Sequence, residues 1–515
     1  MTERFAGIFL LLAVFVIAVC GLVYELLAAA LSTYLVGGSI THFSIVIGVF
    51  LTAMGLGSYL TRFVETDLVD FFVGIQIAIG LSGGCSAAML LGAFSVTGRM
   101  LPVLLVSLSI TGTLVGMEIP LLIRILRSRH VLRVTVANVL ALDYIGALVA
   151  SCAFPLFFVP YVGLLRTSFL FGLINVAVAA VALRVLGHML RRVRLLRVLC
   201  VLSAGILTIG LAGSGVFSSL AEDLLYQDQI IMVKQTPYQR LVVTRWRNDL
   251  RLYIGGALQF STIDEHRYHE SLVHPAMLSA SGASKVLILG GGDGMTAREV
   301  LKYPTVKAVD LVDLDAGMIE LFRDRPMLAE LSGNALSNPK LHIHIQDAGK
   351  FLEQSAELWD VILVDLPDPS VQALGRLYTG SFYRLAGQHL AVQGVLGTQA
   401  TSPFYAPEAF WCIVRTLKET SLGPEGQAGF HVFPYHAYVP SFGDWGFVMA
   451  SRREIDPGKL KMLPNIPVKF LSDEMIPTLF AFPQDVLPGP DIEVNRLNNQ
   501  ILVQYYRRAW KRFGP

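Results

Sequence analysis

Five aspartates in the C-terminal half of the chain each follow closely on an apolar run. They are Asp293, Asp313, Asp347, Asp365 and Asp368. A primary ammonium with a pKa near 10 becomes a nucleophile only after it has lost a proton, and a nearby carboxylate can accept that proton. The carboxylates therefore predict chemistry on a polycationic amine, in which one acid serves as the proton acceptor.

The first of these acids lies in a glycine-rich turn. A predicted strand at 285–289 leads into the turn GGGDG at 290–294, and a helix follows at 295–302. This order is the context of a nucleotide-binding loop, and Asp313, about 20 residues farther on, can accept both ribose hydroxyls. No G-K-[ST] follows the glycines, and Asp293 would repel a pyrophosphate. The turn therefore favours a nucleoside with a cationic tail.

The acids share a position relative to the predicted strands. Each falls at the C-terminal end of a predicted parallel strand, where open α/β sheets bind ligands, so we expect them to converge on one crevice. These strands span residues 285–289, 306–312, 341–345 and 359–364. A small antiparallel lead-in is predicted before them, with strands at 229–233, 241–245 and 250–254 that end at Gly255-Gly256, followed by a helix at 264–278.

The N-terminal part has a different composition. The chain is 53% hydrophobic and only 16% charged, and its first lysine is Lys234. Because about 20 apolar residues cross a bilayer, we predict a transmembrane bundle of about seven helices, near 5–27, 43–63, 71–94, 101–123, 136–159, 164–186 and 197–217. The predicted domains are this bundle (1–217), the β lead-in (218–262), the α/β domain (263–455) and a C-terminal extension (456–515).

Arginines predict the orientation of a multi-pass protein in the cell (inner) membrane, because cytoplasmic loops are rich in Lys and Arg. They cluster between helices four and five and between helices six and seven: Arg124, Arg127, Arg129, Arg133, Arg184, Arg191, Arg192, Arg194 and Arg197. Seven crossings then place the N-terminus in the cytoplasm and the α/β domain on the other side. This conflicts with a cytoplasmic supply of adenosyl nucleosides, and one helix more or fewer would reverse it.

Other classes of site have weak support. The five cysteines form no disulfide framework and no metal-ligand spacing, and a net charge of +2 gives no nucleic-acid footprint. Glu25, Glu118 and Asp143 lie within or beside predicted spans. Acids at membrane depth mark functional sites by default, but they can equally pair between helices and hold the bundle together. Both interpretations stay open.

Six motifs in order resemble the polyamine aminopropyltransferases, the spermidine and spermine synthase family, over about residues 229–451. They are YQ at 238–239, GGALQFSTIDEHRYHESLVHPAM, VLILGGGDG, VDLDAGMIE, VDLPDP and LYTGSFYRLAGQHLAVQGVLGTQATSPF. The preceding helices are typical of its long, membrane-bound bacterial members. The resemblance implies a Rossmann-like, methyltransferase-type α/β domain with a small N-terminal β subdomain, and assembly into a homo-oligomer.

The resemblance assigns six residues to an adenosyl donor, decarboxylated S-adenosylmethionine, which is a co-substrate with no separate cofactor. They are Gln239, His269, Asp293, Asp313, Asp347 and Ala348. It implies that Asp293 holds the ammonium of the aminopropyl tail and that Asp347 contacts adenine. Two positions depart from the family pattern, since Asp313 replaces a Glu and Ala348 replaces the Gly of a DG pair.

For the acceptor amine, the resemblance implies that Asp365 takes the proton, that Tyr268 lies beside the diamine and that Asp368 orients it. Two stretches differ from the family. SVQALGRLY follows Asp368-Pro369 in place of a GPA-type stretch, and Phe442 stands where a diamine-contacting Tyr is usual. Both departures lie on the side of the site that the resemblance assigns to the acceptor amine.

The leading hypothesis is transfer of a 3-aminopropyl group to putrescine, which gives spermidine and 5′-methylthioadenosine. One alternative is an S-adenosylmethionine-dependent methyltransferase, since fold does not fix chemistry; Asp293 argues against it, because this carboxylate would repel the carboxylate of that donor. The other is a polyamine-sensing or polyamine-transporting membrane protein whose synthase-like domain only binds ligand.

Overall fold

The computed structural model describes residues 2–36, 40–97, 100–127, 132–226, 228–280, 282–422, 429–489 and 491–512. The chain forms two compact units, Met1–Gln229 and Ile230–Pro515. Each unit has its own hydrophobic clusters.

The N-terminal unit is helical. Its helices are α1 (Thr2–Val36), α2 (Ile40–Leu60), α3 (Leu68–Thr97), α4 (Leu101–Arg127), α5 (Leu132–Ala153), α6 (Leu164–Val185) and α7 (Val193–Tyr226). In the described part of the chain, seven helical segments of 21 to 30 residues are long and apolar enough to cross a membrane, which is the predicted number. Several helices extend past the predicted spans, and α7 continues well beyond residue 217.

The fifth span changes its helical type midway. After α5, the segment Phe154–Val162 is a π-helix that contains Pro155 and Pro160. Proline has no N–H to donate, so it interrupts the regular α-helical hydrogen bonds. The apolar span runs to Val162, three residues past its predicted end at 159.

Polar contacts join connections that belong to one end of the bundle. Arg191, between α6 and α7, forms an ion pair of 3.1 Å with Asp67, between α2 and α3. Arg124 near the end of α4 donates to the carbonyl of Thr61, just after α2, at 2.9 Å. Arg129 lies outside the described residues. The arginine-rich connections thus share an end of the bundle, as alternating crossings require.

Glu118 of α4 is buried between helices. It is 2% exposed, and it accepts a hydrogen bond of 2.5 Å from Nε2 of Gln76 in α3. Glu25 and Asp143 are half-buried. The contact of Glu118 agrees with the packing interpretation of this acid, because it links two neighbouring helices.

The C-terminal unit alternates strands and helices. Its elements are β1 (Gln229–Gln235), β2 (Arg240–Trp246), β3 (Asp249–Ile254), β4 (Ala257–Ser261), α8 (Glu265–Ser279), β5 (Lys285–Gly290), α9 (Met295–Leu301), β6 (Ala308–Asp313), α10 (Ala316–Asp324), α11 (Pro326–Ala329), β7 (Leu341–Ile345), α12 (Ala348–Gln354), β8 (Trp359–Asp365), α13 (Gln372–Gly375), α14 (Gly380–Gln388), β9 (Leu390–Gln399), α15 (Pro407–Lys418), β10 (His431–Val439), β11 (Gly443–Ser451), α16 (Met475–Thr478) and α17 (Ile501–Trp510).

The lead-in is a four-stranded sheet in the order β1-β2-β3-β4. The sequence analysis predicted the last strand of the lead-in to end at Gly255-Gly256 and missed β4, because these glycines form a hairpin turn and β4 follows them within the predicted bounds of 218–262. Their φ angles of 56° and 87° lie in the left-handed region, where glycine has no steric penalty.

The larger sheet has the order β10-β11-β9-β8-β5-β6-β7. Its strands from β9 to β7 are parallel, whereas β11 and β10 form an antiparallel edge that the sequence analysis did not identify. The chain builds outward from β5 to β6 and β7, and then returns to β8 on the other side. Ligands bind outside the carboxyl ends of the strands at such a switch point.

Apolar side chains of the parallel strands alternate between the two faces of this sheet. Ile288 and Leu311 belong to one cluster, whereas Leu287 and Leu289 belong to the other. Buried parallel strands therefore have continuous apolar sequences, and the polar residues begin where the strands end.

Candidate active site

The glycine-rich turn lies against the ends of β8 and β6. A Cβ on Gly290 would stand 2.1 Å from the carbonyl oxygen of Asp365, and one on Gly292 would stand 2.5 Å from Oδ2 of Asp313. Gly291 donates its backbone N–H to the Asp365 carbonyl, and Gly292 donates to Asp313 Oδ2, both at 3.1 Å. Only glycine permits this approach of the turn to both neighbouring strand ends.

Asp365, the last residue of β8, is held by two hydroxyl groups. Tyr268 of α8 donates to Oδ1 at 2.8 Å, and Thr296 of α9 donates to Oδ2 at 2.6 Å. An ionised carboxylate can accept about four hydrogen bonds. Both oxygens therefore keep a lone pair for a substrate proton while the carboxylate is fixed in orientation. Thr296 was not among the predicted site residues.

Asp293 lies at the start of α9. Its Oδ1 accepts the backbone N–H of Met295 at 2.9 Å. Burial raises the pKa of Asp293 to about 6, with the charge of His269 opposing this shift and the charge of Asp365 adding to it. Near neutral pH the carboxylate is therefore mostly ionised, and a bound cation would stabilise that form.

Asp313, at the end of β6, accepts backbone N–H groups on both of its oxygens. Gly292 donates to Oδ2 at 3.1 Å, and Asp315 donates to Oδ1 at 2.8 Å. Burial raises its pKa to about 6. Its carboxylate is thus fixed beside the glycine-rich turn.

The turn that carries Gln239 is attached to this strand end. The Thr236 hydroxyl accepts the N–H of Gln239 at 3.0 Å and donates to Oδ2 of Asp315 at 2.8 Å. The β lead-in is thereby joined to the crevice through Thr236. Gln239 lies half-buried in this turn, close to the end of β6.

A buried ion network lies behind the site. His269 Nδ1 is 2.8 Å from Glu265 Oε2. The Arg298 guanidinium donates two hydrogen bonds to the Glu265 carboxylate, at 3.0 and 2.8 Å. Burial lowers the pKa of His269, but its hydrogen bond and charge interaction with Glu265 outweigh this and raise the pKa to about 9. Burial raises the pKa of Glu265, but His269 and Arg298 lower it to about 2.

His269 is therefore a cation at neutral pH, within electrostatic range of Asp293 and Asp365. Glu265 and Arg298 were not predicted as site residues. The i,i+4 spacing of Glu265 and His269 on one helix is the sequence signal that could have indicated the pair.

Asp347 contacts different residues from those that contact the other acids. Its side chain caps α12 by accepting the Lys350 N–H at 3.1 Å, and it pairs with Arg376. Burial opposes ionisation of Asp347, but the hydrogen bond and charge of Arg376 keep its pKa below the usual value. Ala348, the first residue of α12, is 6% exposed and packs in the core.

Asp368 follows β8 and is reached by residues from distant segments. The hydroxyl of Tyr506 in α17 donates to Oδ2 at 2.9 Å, and Nε2 of Gln399 lies 3.4 Å from Oδ1. Gln399 also donates to the Tyr378 hydroxyl at 2.5 Å. Burial raises the pKa of Asp368 to about 6. None of the residues Gln399, Tyr378 and Tyr506 was predicted.

Aromatic rings pack beside Tyr268. The ring of Phe442 meets that of Tyr268 edge-on at 6.3 Å, and it lies 5.1 Å from the Trp445 ring. Phe442 therefore contacts Tyr268 with an apolar ring that has no hydroxyl. Within the described residues, no group of three or more His, Cys, Asp or Glu is arranged to hold a metal ion.

Comparisons with known proteins cover both units. Residues 265–457 match the Spermine/spermidine synthase domain. The chain is 44% identical to a polyamine aminopropyltransferase of Leptospira interrogans, over 98% of this chain and 99% of that one. It is 46% identical to polyamine aminopropyltransferase 2 of Ralstonia nicotianae, over 97% and 98%. A crystal structure of spermidine synthase in complex with the transition state analogue AdoDATO is 27% identical, with a TM-score of 0.45, and covers 50% of this chain and 87% of that chain.

Proposed function

This chain belongs to the polyamine aminopropyltransferase family, and we propose that it transfers a 3-aminopropyl group from decarboxylated S-adenosylmethionine to putrescine. The products are spermidine and 5′-methylthioadenosine. The observation that carries this proposal is the carboxylate of Asp365, oriented by the hydroxyls of Tyr268 and Thr296 and within electrostatic range of Asp293.

In this proposal the donor occupies the crevice at the ends of β5, β6 and β7. Asp313 accepts the ribose hydroxyls, Asp347 contacts adenine, and Asp293 binds the ammonium of the aminopropyl tail. The ion pair between Asp347 and Arg376 must then open or share the carboxylate with the adenine amino group. Asp293 favours the decarboxylated donor, because the carboxylate of S-adenosylmethionine would face a buried negative charge.

The chemical step is a displacement at carbon. A proton leaves the primary ammonium of putrescine for a free lone pair of Asp365. The amine nitrogen then attacks the aminopropyl methylene carbon that is bonded to the sulfonium sulfur. The carbon–sulfur bond breaks, its electron pair returns to sulfur, and a neutral thioether leaves. Asp368 holds the far ammonium of the diamine, and in-line positioning supplies most of the remaining rate enhancement.

We also propose that the N-terminal unit anchors the enzyme in the cell (inner) membrane as a multi-pass bundle. Seven apolar helical segments among the described residues support this. Their odd number and the arginine-rich end favour a cytoplasmic N-terminus and a C-terminal unit on the other side. A cytoplasmic donor supply argues for the opposite orientation, so the topology needs its own measurement.

The test uses the full chain, purified in detergent, with each donor and a series of diamines. We expect decarboxylated S-adenosylmethionine and putrescine to give spermidine and 5′-methylthioadenosine in equal amounts by mass spectrometry. Methylated products, with tighter calorimetric binding of S-adenosylmethionine than of its decarboxylated form, would establish the methyltransferase alternative. Ligand binding without turnover would favour the sensing or transport alternative.

A further inference from the structure

The C-terminal helix α17 lies beyond the matched domain, which ends at residue 457. It nevertheless contacts the stretch that follows β8. The Tyr506 hydroxyl donates to Asp368 Oδ2 at 2.9 Å, and the neighbouring Arg507 donates from Nε to the carbonyl of Ser370 at 2.9 Å. Two consecutive residues of this helix thus bind the start of the stretch that contains Asp368.

The residues before α17 bind the other end of the same stretch. Asn495 is 0% exposed, and its Nδ2 donates to the carbonyls of Gly375 at 2.9 Å and Tyr378 at 3.1 Å. A Cβ on Gly375 would stand 2.5 Å from a methyl group of Val503 in α17. Residues 368–378 are therefore held at both ends by the C-terminal segment. This stretch includes SVQALGRLY, which departs from the family pattern.

The surroundings of Asp368 define what the hydroxyl does. The titratable groups that face Asp368 are the phenols of Tyr506, Tyr378 and Tyr268, and the amide of Gln399 lies beside them. A phenol that donates to a carboxylate stabilises its ionised form. It also leaves lone pairs on both oxygens for an ammonium.

We propose that Tyr506 is a positioning residue of the acceptor-amine site, whose hydroxyl fixes the carboxylate of Asp368 to receive the ammonium of the acceptor. The C-terminal helix is then part of the active site. This inference rests on the proposed function, because it takes Asp368 as the acid that binds the acceptor.

The test is Tyr506→Phe, which removes only the hydroxyl. A hydrogen bond to a charged group is worth about tenfold or more in binding. We therefore expect the KM for putrescine to rise about tenfold while the KM for the donor stays unchanged. The acid limb of kcat/KM for putrescine should move to higher pH, because the ionised form of Asp368 has lost a donor. A purely structural role would change both KM values and leave the pH profile in place.

Tyr505→Phe is the matched control. Tyr505 is the neighbouring residue in α17, and its hydroxyl accepts the Glu493 N–H at 3.3 Å, away from Asp368. We expect wild-type kinetics from this variant. Replacement of Tyr506 by 3-fluorotyrosine keeps the ring and makes its hydroxyl a stronger hydrogen-bond donor. This replacement should therefore lower the KM for putrescine. This substitution also decides the question if Tyr506→Phe does not fold.

A double-mutant cycle tests whether Tyr506 acts through Asp368. In an Asp368→Asn background, Tyr506→Phe should have no further effect on the putrescine KM, since coupled residues are not additive. Additive effects, or an unchanged KM and pH profile in Tyr506→Phe, would overturn the inference. If the wild-type chain gives no transfer, the proposed function fails separately. Calorimetry with putrescine on the same variants would then still decide the role of Tyr506.

Discussion

The hydroxyl of Tyr268 donates to Oδ1 of Asp365 at 2.8 Å, which joins α8 to the end of β8. Thr296 holds the other oxygen from α9. The acid that we assign as proton acceptor is therefore oriented by two elements that are not consecutive in the chain. Loss of one of these hydroxyls should misplace Asp365 without removing it.

Tyr268→Phe tests this orientation. We expect kcat to fall about tenfold, because one hydrogen bond to a charged group is lost while the carboxylate stays in place. Steady-state kinetics with saturating donor would measure it. Tyr438→Phe is the control, since Tyr438 is 60% exposed. An unchanged kcat in Tyr268→Phe would show that Thr296 alone suffices to orient Asp365.

Donor binding should depend on pH through Asp293. Burial raises the pKa of this carboxyl to about 6, and only the ionised form attracts the tail ammonium. The kcat/KM for the donor should therefore be constant well above pH 6 and fall below it by about tenfold per pH unit for each proton taken up. Asp313, whose pKa is also raised to about 6, steepens this limb.

A profile of kcat/KM between pH 5 and pH 9 would measure the effect. In Asp293→Asn the slope of the acid limb should decrease by one proton. The preference for decarboxylated S-adenosylmethionine over S-adenosylmethionine should also become smaller. A kcat/KM that stays constant down to pH 5, or an acid limb that keeps its full slope in Asp293→Asn, would show that Asp293 does not bind the donor.

The ion network behind the site should stabilise the C-terminal unit in a pH-dependent way. The pKa of His269 is raised to about 9, so its contribution is fully present below its unfolded value near 6.5 and is lost as pH rises through 9. Glu265→Gln should therefore destabilise the protein by about 3–5 kcal/mol near pH 6, the usual effect of breaking a buried pair. The difference from wild type should shrink by pH 10.

Thermal unfolding at several pH values would measure this. Glu357→Gln is the control, because it makes the same substitution in an exposed pair with Lys285. A Glu265→Gln difference that does not change between pH 6 and pH 10 would mean that Arg298 alone accounts for the stabilisation.

The membrane topology gives a prediction that does not depend on the chemistry. If the seven apolar helical segments of the described residues all cross the bilayer, as we propose, the two chain termini lie on opposite sides of it. Reporters that are active on only one side of the membrane, fused to each terminus in turn, should therefore give opposite results. Results from one and the same side would mean that an even number of helices crosses, and would require one of the seven segments to be reassigned.

Much of the C-terminal unit could be predicted from the sequence because buried parallel strands have continuous apolar sequences. The strands predicted at 285–289 and 359–364 correspond closely to β5 and β8, and their acids lie at the strand ends. The strand predicted at 341–345 corresponds to the edge strand β7, in which apolar residues alternate with histidines instead. The glycine-rich turn was recognisable for the same local reason. Apolar strands and glycine-rich turns can be recognised because each depends on residues that are neighbours in the sequence.

Contacts between distant segments could not be predicted in this way. Tyr506 reaches Asp368 across 138 residues, and Gln399 reaches it across 31. No local period or spacing links such pairs, since they meet only after the sheet and α17 have packed. The strand β4 was missed for a different reason: two glycines that end a strand and two that turn a hairpin look alike in sequence.

We assign Asp365 as the acceptor of the amine proton in an aminopropyl transfer. Asp365→Asn keeps the shape of the side chain but removes the base, so kcat with decarboxylated S-adenosylmethionine and putrescine should fall by about 100-fold or more. Binding of the donor should persist, and Asp324→Asn, at an exposed acid, should keep wild-type turnover. Full spermidine formation by the Asp365→Asn variant would contradict the assignment of Asp365 as the proton acceptor.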